Sequence, residues 1–211
     1  MLYDARGQEV VDGCLRIGEK AVLKPSRKQN FYAGKGRYMK TIQSLHVTHE
    51  FPPVYDMDCE ILILGSIPSP KSREAAFYYG HPQNRFWKVL AAVYEEKVPE
   101  SIEEKKQMVL SHHIALWDAL EACDICGASD SSIKNPEPAD IPALLKKTKI
   151  CRIYTTGAAA YKFYQKYNYP GTGIEAVKLP STSPANCAFS MERLVEAYQV
   201  IRSQSSENTG R

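Results

Sequence analysis

The sequence predicts an α/β fold: a three-layer αβα arrangement with a central four-stranded parallel sheet, plus a small β-rich N-terminal extension. Two observations carry this. After residue 53 four short apolar runs alternate with helix-length amphipathic segments, and parallel strands need crossover connections that cover both faces of a sheet. Just before them the pair Pro52 and Pro53 disfavours helix and marks an extended boundary.

Taken in order, residues 1–48 form the extension. They hold β-formers at Val10, Val11, Leu15, Ile17, Val22 and Leu23, punctuated by glycines at 7, 13 and 18, which reads as short antiparallel strands. Residues 1–40 carry nine Lys or Arg against four Asp or Glu, although the whole chain is only +3. Such a segment either helps hold a phosphate backbone or is a solvated surface. The main domain is expected over 49–202. Its first strand is Glu60 to Leu64, buried throughout; Asn84 to Tyr94 carries Phe86, Val89, Leu90 and Val93 at helical spacing. Ser101 with Glu104 makes a capping box that opens a helix to about Ser111, and His113 to Trp117 is the second strand. Residues 124–139 read as loop, and Asp140 caps a short helix. Ile150 to Thr155 is the third strand, Ala158 to Tyr167 a helix, Glu175 to Leu179 the fourth strand, and Ser190 caps the last helix. Residues 203–211 are a polar tail.

Of 211 residues 44% are hydrophobic and 24% charged, a composition that buries a core and excludes a disordered chain. No apolar run approaches membrane-spanning length, so no membrane partner is expected. Cysteines stand at 14, 59, 123, 126, 151 and 187. The CxxC of Cys123 and Cys126 has no second close pair, so neither metal nor cofactor is expected, and reduced structural thiols fit a cytoplasmic, monomeric protein. His112 and His113, at a helix end, read as structural.

In open α/β sheets ligands bind beyond the carboxyl ends of the strands. That directs attention to the loops Gly65 to Asn84, Asp118 to Ser132, Thr156 to Gly157, and Pro180 to Asn186. In the first, Gly65, Ser66, Ile67, Pro68 and Ser69 leave the strand as a glycine turn stiffened by proline. It lacks the GK[ST] of a phosphate loop and is no dinucleotide signature. Phe77, Tyr78 and Tyr79 follow, then Gly80, His81, Pro82, Asn84, Phe86 and Trp87. They supply a stacking face, two hydrogen-bonding side chains and an apolar wall, the parts a pocket for a flipped base needs. Asn84 has a second reading as a helix N-cap.

Gly65 to Trp87, GSIPSPKSREAAFYYGHPQNRFW, resembles the active-site stretch of the uracil-DNA glycosylase superfamily, and HPQNRFW is close to the HPxNRFW of its mismatch-specific branch. LPSTSPAN at 179–186 resembles the superfamily's second motif, a loop that grips phosphates and fills the gap left by the flipped base. Where the mismatch- and thymine-specific branches have an Asn, this chain has Ile67, which cannot activate water. In this it is similar to the hypoxanthine-DNA (deoxyinosine) glycosylase branch, whose essential residue is the Asn of HPxN. The likeness covers about residues 49–200.

The resemblance implies DNA containing a deaminated base as partner and monofunctional excision of hypoxanthine, or of uracil, leaving an abasic site. It assigns catalysis to Asn84, the base pocket to Gly65, Ser66, Ile67, Pro68, Tyr79 and His81, and DNA contacts to Ser69, Ser181, Thr182, Ser183, Pro184, Ala185 and Asn186. The rival expectation is a DNA-binding module of the same fold that has lost its chemistry.

Overall fold

The structure, a computed structural model, describes residues 44–203 together with Leu2–Tyr3 and Glu9–Val10. The chain divides into two compact units, Met1–Thr41 and Ile42–Arg211. In the first, β1 (Leu2–Tyr3) pairs antiparallel with β2 (Glu9–Val10). The strands expected around Leu15, Ile17, Val22 and Leu23 fall outside the described residues, as does the tail beyond Ser203.

In the second unit the expected sheet is present. Strands β4 (Ile61–Gly65), β5 (Ile114–Asp118), β8 (Arg152–Thr156) and β9 (Ala176–Leu179) lie parallel in the order β5-β4-β8-β9. Each differs by only one or two residues from the range predicted for it. β4 is buried at every position, as a central parallel strand covered on both faces must be. Its side chains alternate between faces. Ile61 and Ile63 pack with α2 (Phe86–Tyr94), α3 (Ile102–Ser111) and α7 (Met191–Ser203) through Leu90, Val109, Leu194 and Tyr198. Leu62 and Leu64 pack on the other side with Ile141 and Leu144 of α4 (Ile141–Leu145) and with Tyr164. The three layers follow from that alternation.

Local signals set several ends. Ser101 Oγ accepts from Glu104 N at 3.0 Å while the Glu104 carboxylate accepts from Ser101 N, closing the capping box. Asp140 Oδ1 caps α4 through Ala143 N at 3.1 Å. The helix expected over 158–167 is α5 (Ala158–Phe163) running into a π-helical segment, Tyr164–Asn168, then α6 (Tyr169–Thr172). The π segment leaves Asn168 buried, its Nδ2 donating to Ala139 O at 2.9 Å.

One expectation is corrected. The stretch 124–139, read as loop, contributes the end of β6 (Leu120–Ile125), a 3-10 turn at Asp130–Ser132 and β7 (Lys134–Pro138). With β3 (Leu45–Thr48) these form a second, antiparallel sheet, β3-β6-β7. Pro136 and Pro138 argue against a strand, but β7 lies at the sheet edge, where a missing N–H is tolerated. β3, in the segment assigned to the extension, lies inside the second unit and pairs there with β6.

Candidate active site

Register places the strand ends side by side: Gly65 opposite Asp118, and Thr156 opposite Leu179. The loops leaving those ends enclose a cavity of about 300 Å³. Gly65, Ser66, Ile67, Pro68, Ser69, Tyr79, His81, Asn84, Ser181, Thr182, Ser183, Pro184 and Ala185 all line it. Among the residues expected at the site, Asn186 does not. Its Nδ2 folds back onto Ser181 O at 2.8 Å, so its side chain holds the loop rather than facing the cavity.

The first loop is shaped by what lies beneath it. A Cβ on Gly65 would fall 2.1 Å from Asp118 Oδ1, so any larger residue there would have to displace that carboxylate. Ile67 is buried with Val47, Leu120, Cys123 and Ile125. It is apolar because it seals the second sheet against the cavity rim. Ser66 Oγ donates to Asp130 Oδ1 at 2.9 Å. Lost hydration pushes the Asp130 carboxyl up, the Ser66 bond opposes it, and the charge of Asp118 adds to the rise. Ser69 caps α1 (Pro70–Glu74), accepting from Ser72 N at 3.2 Å.

Tyr79 has a left-handed backbone (φ 53), a strained conformation for an aromatic residue. Its ring stacks on Phe86 with centroids 3.7 Å apart, so Phe86 backs the stacking surface. The Tyr79 hydroxyl donates to Thr156 Oγ1 at 3.2 Å, and Thr156 donates onward to Leu64 O. Burial, with the charge of Asp118, pushes the Tyr79 phenol far up, so it stays a donor.

His81 and Asn84 are tied together, Asn84 N donating to His81 O at 2.8 Å. His81 Nδ1 accepts from Gln83 N at 3.1 Å, which places the proton of the neutral ring on Nε2. Asn84 Oδ1 accepts from Phe86 N at 3.0 Å, at the start of α2. The N-cap of α2 is Arg85 and not Asn84, so the Asn84 oxygen closes a turn onto the first residue of the helix, and Asn84 is among the residues that line the cavity.

Sequence reasoning missed three features. Arg85 donates to the carbonyls of Thr182, Ser183, Asn186 and Phe189, stitching the second motif to the first. Phe51 lines the cavity. His49 and Asp118 form a buried ion pair beside it, Nε2 to Oδ2 2.9 Å, with side chains 1% and 7% exposed. His49 Nδ1 lies 2.7 Å from Phe51 O. Burial alone lowers the His49 pKa, but the Asp118 hydrogen bond and charge, with the Phe51 carbonyl and Glu121, outweigh it and leave it raised. Asp118 was findable, because it ends a strand of the parallel sheet. His49 gave no signal, since its partner is 69 residues away.

Among the described residues, no group of three or more His, Cys, Asp or Glu is placed to hold a metal ion. No described helix is long and apolar enough to cross a membrane.

A parallel sheet whose strand ends carry a cavity of about 300 Å³, an aromatic floor and a Ser-Pro loop has the layout of an enzyme that takes its ligand at the carboxyl edge of the sheet. The family model described as "Uracil DNA glycosylase superfamily" matches residues 52–202, and the chain belongs to that family of DNA glycosylases, hydrolases of N-glycosyl bonds. It is similar to a hypoxanthine DNA glycosylase of Methanosarcina acetivorans, 37% identical over 153 residues, covering 72% of this chain and 96% of that protein. A hypoxanthine DNA glycosylase of Methanosarcina barkeri is 39% identical over 88 residues, 41% of this chain and 56% of that protein. A solution NMR structure from Methanosarcina acetivorans, provisionally described as a uracil DNA glycosylase, superposes with TM-score 0.64. It is 34% identical, over 78% of this chain and 98% of that one.

Proposed function

We propose that the chain is a monofunctional glycosylase that accepts a deaminated base flipped out of DNA, hypoxanthine foremost and uracil second, and leaves an abasic site. The observation that carries this is the single cavity shared by the first motif, His81, Asn84 and the 181–185 loop. The relatives named for hypoxanthine support the choice of base.

Cleaving the N-glycosidic bond passes through an oxocarbenium-like sugar while negative charge gathers on the departing base. Asn84 Nδ2 and His81 Nε2–H are donors at the wall where that charge develops. Ile67, packed under the second sheet, offers nothing to a water. No lysine is among the described residues lining the cavity, which supports hydrolysis without a covalent sugar intermediate. Tyr79 stacks on the base, Ser181 and Ser183 grip phosphate, Thr182, 1% exposed, holds the loop through its carbonyl on Arg85, and the exposed Pro184 and Ala185 enter the vacated stack. The reading also places the enzyme in the cytoplasm as a monomer, in keeping with thiols at 59, 123, 151 and 187.

The test is single-turnover excision on duplexes carrying deoxyinosine or deoxyuridine, with abasic sites cleaved by alkali. Asn84→Ala is expected to slow release about 10²–10³-fold, as for loss of one transition-state donor. A folded Asn84→Ala enzyme with full activity refutes the assignment. Tight duplex binding without excision of any lesion favours the inactive DNA-binding module.

A further inference from the structure

Ile67 leaves the first motif without a group to act on water, because its side chain packs against Leu120, Cys123 and Ile125 of β6. The sheet that Ile67 supports carries a carboxyl back to the cavity. Beyond β6 the chain makes the 3-10 turn Asp130–Ser132. Ser132 Oγ fastens that turn, accepting from Cys126 N at 2.9 Å and donating to Ser129 O at 2.7 Å. The Asp130 side chain points away from its own turn, and its Oδ1 accepts from Ser66 Oγ at 2.9 Å, a partner 64 residues earlier. The hydrogen bonds among the described residues give Oδ2 no donor, and Asp130 lines the cavity with Ser66, His81 and Asn84.

Three described side chains lining the cavity have the chemistry to take a proton from water near neutral pH: His81, Asp118 and Asp130. His81 Nδ1 is occupied by Gln83 N. Asp118 is held by His49 through Oδ2, and its Oδ1 lies over Gly65. Asp130 is the carboxylate of the three with no cation on it. The residue is open to solvent at the cavity rim, so water reaches it and a proton can leave it. Lost hydration of the carboxyl and the charge of Asp118 raise its affinity for a proton, against the Ser66 bond. A carboxylate perturbed in that direction is a stronger base than a free one.

We propose that Asp130 is the catalytic residue that orients the attacking water and takes its proton, and that Ser66 is the positioning residue that aims it. The C1′–N bond of the flipped nucleotide breaks with its electron pair leaving on the base, toward the Asn84 and His81 donors. The water oxygen bonds to C1′ while one of its protons passes to Asp130 Oδ2. Asp130 then releases that proton to solvent and the base anion takes one up, so that water has been added across the bond. Before the proton moves, the carboxylate charge also favours the cationic sugar. On this reading the water-activating group of the site comes from the second sheet, and Ile67 supports it from below.

This inference rests on the glycosylase reading, so the experiment separates the two. Single-turnover release of hypoxanthine from a deoxyinosine duplex is measured with the full chain, beside its affinity for a duplex carrying 2′-fluoro-deoxyinosine, whose N-glycosidic bond resists cleavage. Asp130→Asn, which keeps an oxygen for Ser66, is expected to slow release about a hundredfold or more while leaving that affinity unchanged. Ser66→Ala is expected to lose about tenfold in rate, and Ser66→Thr, which keeps the hydroxyl, to recover most of it. Thermal melting identifies the folded variants, with Asp130→Ala as a second test of the carboxyl. Full-rate release by folded Asp130→Asn or Asp130→Ala overturns the inference and leaves the glycosylase reading standing. An equal loss of rate and affinity also overturns it, because it marks a structural role. A wild type that binds the duplex and releases no base sinks both.

Discussion

On the proposed reading Asn84 divides one amide between local structure and chemistry, and the two uses separate by substitution. Asn84→Asp keeps an oxygen for Phe86 N and loses both N–H donors. It is therefore expected to melt within about 1 kcal/mol of the wild type yet to fall with Asn84→Ala in excision assays. Gly65→Ala is expected to lose about 1–3 kcal/mol in denaturant unfolding, because the new methyl overlaps Asp118 Oδ1. For His49 the folded pKa is raised. The stability it contributes is thus fully present below its ordinary value of about 6.5 and declines as pH rises through the folded value. The unfolding free-energy gap between wild type and His49→Gln, followed from about pH 5 to pH 9, is expected to narrow in that direction; a gap that widens contradicts it. Asn84, His81 and Ile67 were legible in the sequence because a contiguous motif carries them. The His49–Asp118 pair was not, because it forms only when β3 and β5 are brought together by the two sheets.

At the level of elements, capping and clamping make different predictions. Ser101→Ala removes the capping-box oxygen of α3, outside the residues that line the cavity. It is expected to cost about 1 kcal/mol in thermal or denaturant unfolding and to leave hypoxanthine release unchanged. Arg85→Ala instead frees four carbonyls of the second-motif loop. It is expected to weaken duplex binding and excision by about tenfold or more, measured by fluorescence anisotropy and alkali cleavage, before any change in the melting of the sheet. Apolar runs foretold β4, β5 and β8, because a strand covered on both faces has little choice of residues, whereas β9 lies at the sheet edge with Val177 and Lys178 exposed. β7 was hidden by its prolines, which an edge position tolerates, and β6 by its direct continuation from β5 through Ala119 alone. The clamp was invisible for another reason: Arg85 in HPQNRFW reads as one more helix-start residue until its partners about a hundred residues away are in place.

For the molecule as a whole, the division at Thr41/Ile42 predicts that a chain beginning at Ile42, which retains β3 and His49, unfolds cooperatively and still excises hypoxanthine. Because residues 1–40 carry nine Lys or Arg against four Asp or Glu, the shortened chain is expected to bind undamaged duplex more weakly, with a shallower dependence on salt. An equal salt slope would remove DNA from the roles of that segment. The Arg85 stitching has a further meaning at this scale. On the proposed function the tip at Pro184 and Ala185 enters a base stack, and on a free loop it would lose its conformational entropy at the moment of contact. Here the tip is tied down by carbonyl bonds that exist without DNA, so the ordering is completed during folding. On that proposal, encounter with a lesion becomes the docking of a preorganised shape, and the distortion is left to the nucleic acid, which yields most readily where pairing is already weak.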